Sequence, residues 1–165
     1  MLKYLLLLSL STWSAIVSAT SFVPQTIKDQ LVESSGIVVG EVISVRSERE
    51  VDGRVYSMAF IKADKWLDAK VKSDHIEVYF PGGKVGDYVS KIEGAPKFNA
   101  GEKVVLFTKN IQDRSYVLNL GMGKFSIKNL GKTQIMVNQI FPQTPEVGQM
   151  KLKNFYQLAQ NLKGK

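Results

Sequence analysis

The run GIVVGEVISVRSEREVDGRVYSMAFIKADKWL, residues Gly36 to Leu67, decides the fold. Its first half is rich in β-branched residues and reads as a strand from about Ile37 to Arg49. Val51-Asp52-Gly53 then reads as a turn, because an Asp-Gly pair accepts positive φ at little cost. The segment from Arg54 to Leu67 returns as a second strand, with Tyr56, Met58 and Phe60 on one face and Val55, Ala59 and Ile61 on the other. Apolar residues on both faces call for a sheet that is closed or covered, not one lying open to water.

Working outward toward the C-terminus, HIEVYFP alternates Ile76, Val78 and Phe80 against His75, Glu77 and Tyr79 as a third strand ending at Pro81. DAKVKSD, before it, is a polar connection. YVSKI reads as a short strand, EGAPKFNAGE as a loop, and EKVVLFTK as a buried strand. NIQDRS turns the chain, YVLNL returns, GMG interrupts, KFSI continues, and TQIMVNQIF is a last strand with PQTPEVG as its exit. On the N-terminal side, TIKDQLVESS offers Thr26 as a helix N-cap with Asp29 three residues on, and Ile27, Leu31 and Val32 as an apolar stripe. MKLKNFYQLAQNLK closes the chain as an amphipathic helix with Leu152, Phe155, Tyr156, Ala159 and Leu162 on one face. Short strands joined by tight turns, with helices only at the two ends, predict a mainly β fold, a small antiparallel barrel or sandwich. Alternating βαβ units are absent, which argues against a doubly wound nucleotide-binding sheet.

FPGGKVGDY, Phe80 to Tyr88, is the stretch most like a phosphate cradle. Such a loop needs G-x-x-x-x-G-K-[ST] opening a helix, whose N-terminus presents amide groups to the phosphate. Here Val85 follows Lys84, and the next segment is a strand. GMGKFSI fails likewise, with Phe125 in the hydroxyl position. Both read as glycine turns or bulges where strands bend. No other chemistry assembles. The single histidine, His75, begins a strand, and no G-x-S-x-G elbow is present. With no cysteine and one histidine, zinc and thiol chemistry have no ligands to build on, and no cofactor is expected. Glu48, Glu50 and Asp52 read as a solvated hairpin tip, not a catalytic carboxylate pair. Trp66, Tyr79, Phe80, Tyr88 and Phe98 are candidates for a stacking platform. Phe80, Phe107 and Phe125 suit the core better, which leaves Tyr79 and Tyr88 as the contact residues.

MLKYLLLLSLSTWSAIVSA has the basic start, short apolar run and small-residue end of a secretory signal peptide, residues 1–19, cleaved after Ala19. The run is short for a membrane span of about 20 residues, and Ser9, Ser11, Thr12 and Ser14 interrupt it. Residues 20–165 are then one exported domain held by its core alone, in a bacterial periplasm or outside the cell. The net charge of +7 is lopsided: Thr20 to Asp113 carries 13 basic and 14 acidic residues, and Arg114 to Lys165 carries 8 and 1. A basic half can attract lipid head groups, acidic glycans, nucleic acid or an acidic protein face, or can serve solubility alone. An exported chain argues against nucleic acid as the partner.

The stretches QLVESSGIVVGEVISV, GRVYSMAFIKADKWL, FNAGEKVVLF and SYVLNLGMGKFSI follow an order that resembles the tissue-inhibitor-of-metalloproteinase-like, or netrin-like, variant of the oligonucleotide-binding (OB) barrel, over Gln30 to Ile127. The resemblance implies a small OB-like barrel with a short N-terminal helix and a C-terminal helix. PGGKVGDYVSKIEGAPKFNAGEKVVLF and GMGKFSI are also similar to segments of uncharacterised exported bacterial proteins, in which a G-A-P-x-F-x-x-G-E-x-V-x-L-F run and a later G-x-x-G-K-F recur. Metalloproteinase inhibitors of the first group chelate zinc through an N-terminal cysteine, and this chain has none, so that activity does not carry over.

The expectation is therefore a non-enzymatic exported binding module that contacts a protein or an envelope component. Its contact residues would be Gly82, Gly83, Lys84, Gly86, Tyr88, Pro96 and Lys97, on loops held by a rigid scaffold. A protease-associated inhibitor, an enzyme of unrecognised type, and a basic barrel for anionic lipid or glycan are the alternatives.

Overall fold

A computed structural model describes residues 23–68 and 72–163. The predicted signal peptide, residues 1–19, and residues 69–71 of the polar connection lie outside them. Helix α1 spans Ile27–Glu33, and ten strands follow: β1 Gly36–Arg49, β2 Val55–Asp68, β3 His75–Pro81, β4 Gly83–Val85, β5 Tyr88–Ser90, β6 Lys103–Ile111, β7 Arg114–Val117, β8 Lys124–Leu130, β9 Thr133–Asn138 and β10 Gln149–Lys151. A single 3-10 turn, Leu120–Gly123, separates β7 from β8, and helix α2, Leu152–Lys163, closes the chain. Among the described residues no helix is long and apolar enough to cross a membrane.

The β1–β2 hairpin organises the rest. Its strands pair antiparallel from Arg49↔Val55 to Ile37↔Asp68, with irregularities at Ile37/Val38, Val39/Gly40 and Val42/Ser44. A side chain at Gly40 would strike the Lys62 carbonyl, so the bulge there needs glycine. Bulges bend a strand and increase its twist. The bent first half of β1 pairs with β6 on its other edge, from Gly36↔Thr108 to Glu41↔Lys103. The sheet runs β1-β2-β3-β7-β6 and returns to β1, a ring of five strands. Its one parallel junction joins β3 to β7, at Val78↔Ser115 and Tyr79↔Tyr116. Beyond the ring, β6 carries the sheet outward through β8, β9 and β10.

This topology explains why the central strands are apolar on both faces. Val38, Val42, Ala59, Ile61, Val78, Phe80, Val104, Leu106 and Val117 pack together as one core. Ile37, Val39, Val105 and Phe107, from the alternate positions, join Phe125, Met136 and both helices in a second. There the Phe107 ring meets Phe125 at 5.7 Å and Phe155 at 5.8 Å, both edge to face.

Helix α1 stands where the sequence places it, and α2 begins two residues later than MKLKNFYQLAQNLK predicts, because Met150 and Lys151 pair with β9 as part of β10. Thr26 caps α1, and the reciprocal bonds between Thr26 and Asp29 complete the capping box. The expected stripe is corrected at one position: Val32 is 65% exposed, and Gln30 is buried in its stead. In a seven-residue helix only one narrow stripe faces the core, and Ile27, Gln30 and Leu31 fill it. In α2 Leu152, Phe155 and Ala159 are buried, while Tyr156 and Leu162 pack at the rim.

Candidate functional site

The chain leaves the ring at Phe80-Pro81-Gly82-Gly83. The Gly82 amide donates to the Val55 carbonyl at 2.9 Å, and Ser57 Oγ donates to the Gly82 carbonyl at 2.7 Å. Gly82 and Gly83 hold φ values of +88° and +140°, which turn the chain across the β1–β2 hairpin. At Gly83 the backbone lies directly over the Ser47–Ser57 hydroxyl pair, and a Cβ there would strike both oxygens. Two strands follow: β4 pairs with β5 through Gly83↔Ser90, Lys84↔Val89 and Val85↔Tyr88, with Gly86 at φ +58° in the turn. FPGGKVGDY is thus a small β-hairpin. Strand β4, Gly83–Val85, was not legible because Gly83 and Gly86 bracket its two side chains and carry no strand signal.

The loop after β5 is tied down by a side chain remote in sequence. Gln139 Nε2 donates to the Ala95 carbonyl at 2.8 Å, and the Lys97 amide donates to Gln139 Oε1 at 3.0 Å. This amide thereby takes the place of a neighbouring strand. The Gly121 amide donates to the Gly94 carbonyl at 2.7 Å, and the Phe98 ring packs on Phe80 at 5.1 Å. Just beyond, Glu102 accepts from the Asn99 amide at 3.2 Å and contacts both the Lys124 ammonium and the Ser126 hydroxyl. Burial pushes the Glu102 carboxyl up, but the bonds from Lys124 and Ser126 outweigh it and leave it below its ordinary value. Burial holds the Lys124 ammonium below its usual range despite the bond to Glu102.

Between the hairpin and this loop lies an open cleft of about 850 Å³. Phe80, Pro81, Gly82 and Gly83 form one wall, Ile92, Ala95, Pro96 and Lys97 another, and Gln139 and Ile140 close the end. Lys91, Glu93 and Lys97 give its lining charges of both signs. Ser90 and Gln139 add uncharged polar groups to a lining that is otherwise apolar side chain and glycine backbone. On the other side of the hairpin, Tyr88, Arg49 and Arg54 border a second hollow of about 370 Å³, with the Arg49 guanidinium 5.0 Å from the Tyr88 ring centre.

Of the contact residues expected from sequence, Gly82, Gly83, Pro96 and Lys97 come together in the larger cleft. Lys84, Gly86 and Tyr88 are exposed on the hairpin, Tyr88 toward the smaller hollow. Gly82 and Pro96 are buried and serve as wall, not as reaching side chains. Ile92, Gln139 and Ile140 were missed, because all three stood inside what reads as strands, and β5 ends at Ser90 and β9 at Asn138. The aromatic residues do not form one platform. Phe80, Phe98 and Trp66 pack with the ring core. Tyr79 is half-buried beside Tyr116 at 5.8 Å and Arg114 at 5.0 Å, with burial and Glu77 pushing its phenol up. His75 is exposed at the head of β3, and Glu50 and Asp52 are paired to Arg114 and Arg54. Among the described residues no three histidine, cysteine or acidic side chains are grouped as metal ligands. No family model, no curated protein and no solved structure matches this chain.

Proposed function

We propose that this chain is an exported, non-enzymatic binding module that contacts a protein or a bacterial envelope component through the loops around the larger cleft. The carrying observation is the cleft itself: its walls belong to two loops fixed by hydrogen bonds, the buried Ser57–Gly82 contact on one side and the two exposed Gln139 bonds on the other. A recess built in advance loses little freedom on binding, which favours recognition. The ring order β1-β2-β3-β7-β6, with its parallel β3–β7 junction, supports reading the scaffold as an OB-like barrel related to the netrin-like pattern. The absence of cysteine separates it from zinc-chelating inhibitors of that pattern.

The test is retention of envelope proteins on the immobilised chain from Thr20, at low and high salt, beside an Ile92→Glu variant. Ile92 lines the cleft and is 44% exposed, so the change leaves folding intact. A discrete protein kept at high salt by the parent and lost by Ile92→Glu supports the reading. Equal retention by both chains overturns it.

A further inference from the structure

The surplus positive charge has a definite place in the fold. Arg114, Lys124 and Lys163 are paired with Glu50, Glu102 and Asp68. Lys128, Lys132, Lys151 and Lys153 have no carboxylate within 4.0 Å among the described residues. All four lie on or beside the sheet extension β8–β9–β10. Cross-strand register puts Lys128, Ile135 and Lys151 in one row, because Lys128 and Lys151 both oppose Ile135. Residues in one row share a face. Leu130 opposes Thr133 on that same face, at the mouth of the Gly131-Lys132 turn, and is 66% exposed. Leu130, Thr133, Ile135 and Lys151 also border one shallow hollow of about 360 Å³. From Arg114 onward the only acidic residue is Glu146.

We propose that this face docks the protein on an anionic lipid bilayer, with Leu130 entering the acyl boundary and Lys128, Lys132 and Lys151 meeting lipid phosphates. A soluble polyanion would use the lysines but has no use for a bare leucine between them. A bilayer uses both: the apolar tip leaves water while the long lysine stems keep their ammonium groups at the head-group level. The face shares no lining residue with the larger cleft, so the proposal does not rest on the cleft's role. A cleft partner and a membrane surface could be held at once.

The experiment is co-sedimentation of the chain from Thr20, which contains every described element, with phosphatidylcholine vesicles with and without phosphatidylglycerol. The expected result is binding only to the anionic vesicles, weakened by salt. Lys128→Glu and Lys132→Glu should each lower the partition at least about fivefold, the worth of one lysine near such a surface. Lys62→Glu, exposed on β2, should leave it unchanged. Leu130→Asp should abolish binding, and Leu130→Trp should bind with a blue-shifted emission that reports entry of the ring into the lipid. Equal binding to neutral vesicles, an effect of Lys62→Glu as large as that of Lys132→Glu, or an indifferent Leu130→Asp overturns the proposal. So does retention on a soluble polyanion without vesicle binding.

Discussion

The Lys124 ammonium contacts the Glu102 carboxylate while standing 5.5 Å from the centre of the Phe98 ring. Lys124 is almost wholly buried and Glu102 nearly so. The contact joins the two glycine-containing runs, GAPKFNAGEKVVLF and GMGKFSI, at their charged positions, and the Gly94–Gly121 bond joins them at their glycines. Removing one partner leaves the other charge buried alone, which costs more than the pair contributes. Lys124→Met or Glu102→Gln should each destabilise the fold by about 3 kcal/mol, the low end of the range for a buried pair because Glu102 keeps some access to water. Lys124→Met combined with Glu102→Gln should cost clearly less than the two single losses together. Urea unfolding of the four chains checks this, and strict additivity would show that the pair is not coupled.

Acid should loosen the fold through the same carboxylate. The folded-state pKa of Glu102 lies below the ordinary 4.5, so the unfolded chain binds its proton first as pH falls. The stabilisation is complete above about pH 4.5 and is lost as pH falls through the depressed folded value. Asp29 moves the same way, held down by its bonds with Thr26. Urea midpoints from about pH 7 to about pH 3 should fall steeply at the acid end for the parent and more gently for Glu102→Gln.

What the sequence made legible follows from how local each signal is. The β1–β2 hairpin and α1 announce themselves through β-branched runs, an Asp-Gly turn and a capping box, all settled within a few residues. The apolar character of both faces of β2 and β6 also signals a covered sheet, and the two cores on either side of the ring account for it. Strand β4 was illegible between its glycines, and β10 because Gln149–Lys151 run straight into α2, whereas β5, no longer, shows in its Tyr88-Val89 pair. The cleft was legible only in part. Its glycine wall is written in FPGG, but its far wall is held by Gln139, which acts on residues 95 and 97 across more than 40 positions. No spacing rule reaches that far.

Glycines 83 and 86 should respond differently to the same substitution. Gly83 holds φ +140° with two hydroxyls where a Cβ would stand, whereas Gly86 holds φ +58° with open space around it. Gly86→Ala should cost about 1 kcal/mol, the strain of a left-handed residue, and Gly86→Asn less. Gly83→Ala adds a collision with Ser47 and Ser57 to its strain and should cost about 3 kcal/mol, at the upper end for a single substitution. Thermal unfolding of the three variants separates the two kinds of glycine. Equal losses at both positions would mean that the Ser47–Ser57 seat yields.

Asn138 supports the other side of the Lys124 region. Its Nδ2 donates to the carbonyls of Gly121, Met122 and Lys124 at 2.9, 3.0 and 2.9 Å, and its Oδ1 accepts from the amides of Ile140 and Phe141. The residue is 1% exposed, so each group left unpaired keeps its full desolvation cost. Asn138→Ala should lower stability by about 3 kcal/mol. Asn138→Asp should be at least as damaging, because it sets a carboxylate against three carbonyl oxygens, and it alone should be partly relieved at acid pH. A neutral carboxyl regains one donor there, so the two variants should approach each other as pH falls.

Gln139 tests whether the cleft wall is held or merely present. Its two bonds fix the chain at Ala95 and Lys97 from outside the loop, on an exposed surface where each is worth about 1 kcal/mol at most. Gln139→Ala should therefore lower global stability only slightly. It should, however, raise hydrogen exchange at the Lys97 amide, which loses its acceptor, while amides of the β2–β3 ladder keep their protection. If the cleft recognises its partner through a preformed wall, the same variant weakens capture without removing any side chain that lines the opposite wall. An unchanged Lys97 exchange rate would show that the Gly94–Gly121 bond and the Phe80–Phe98 contact hold the loop by themselves, and capture should then survive as well.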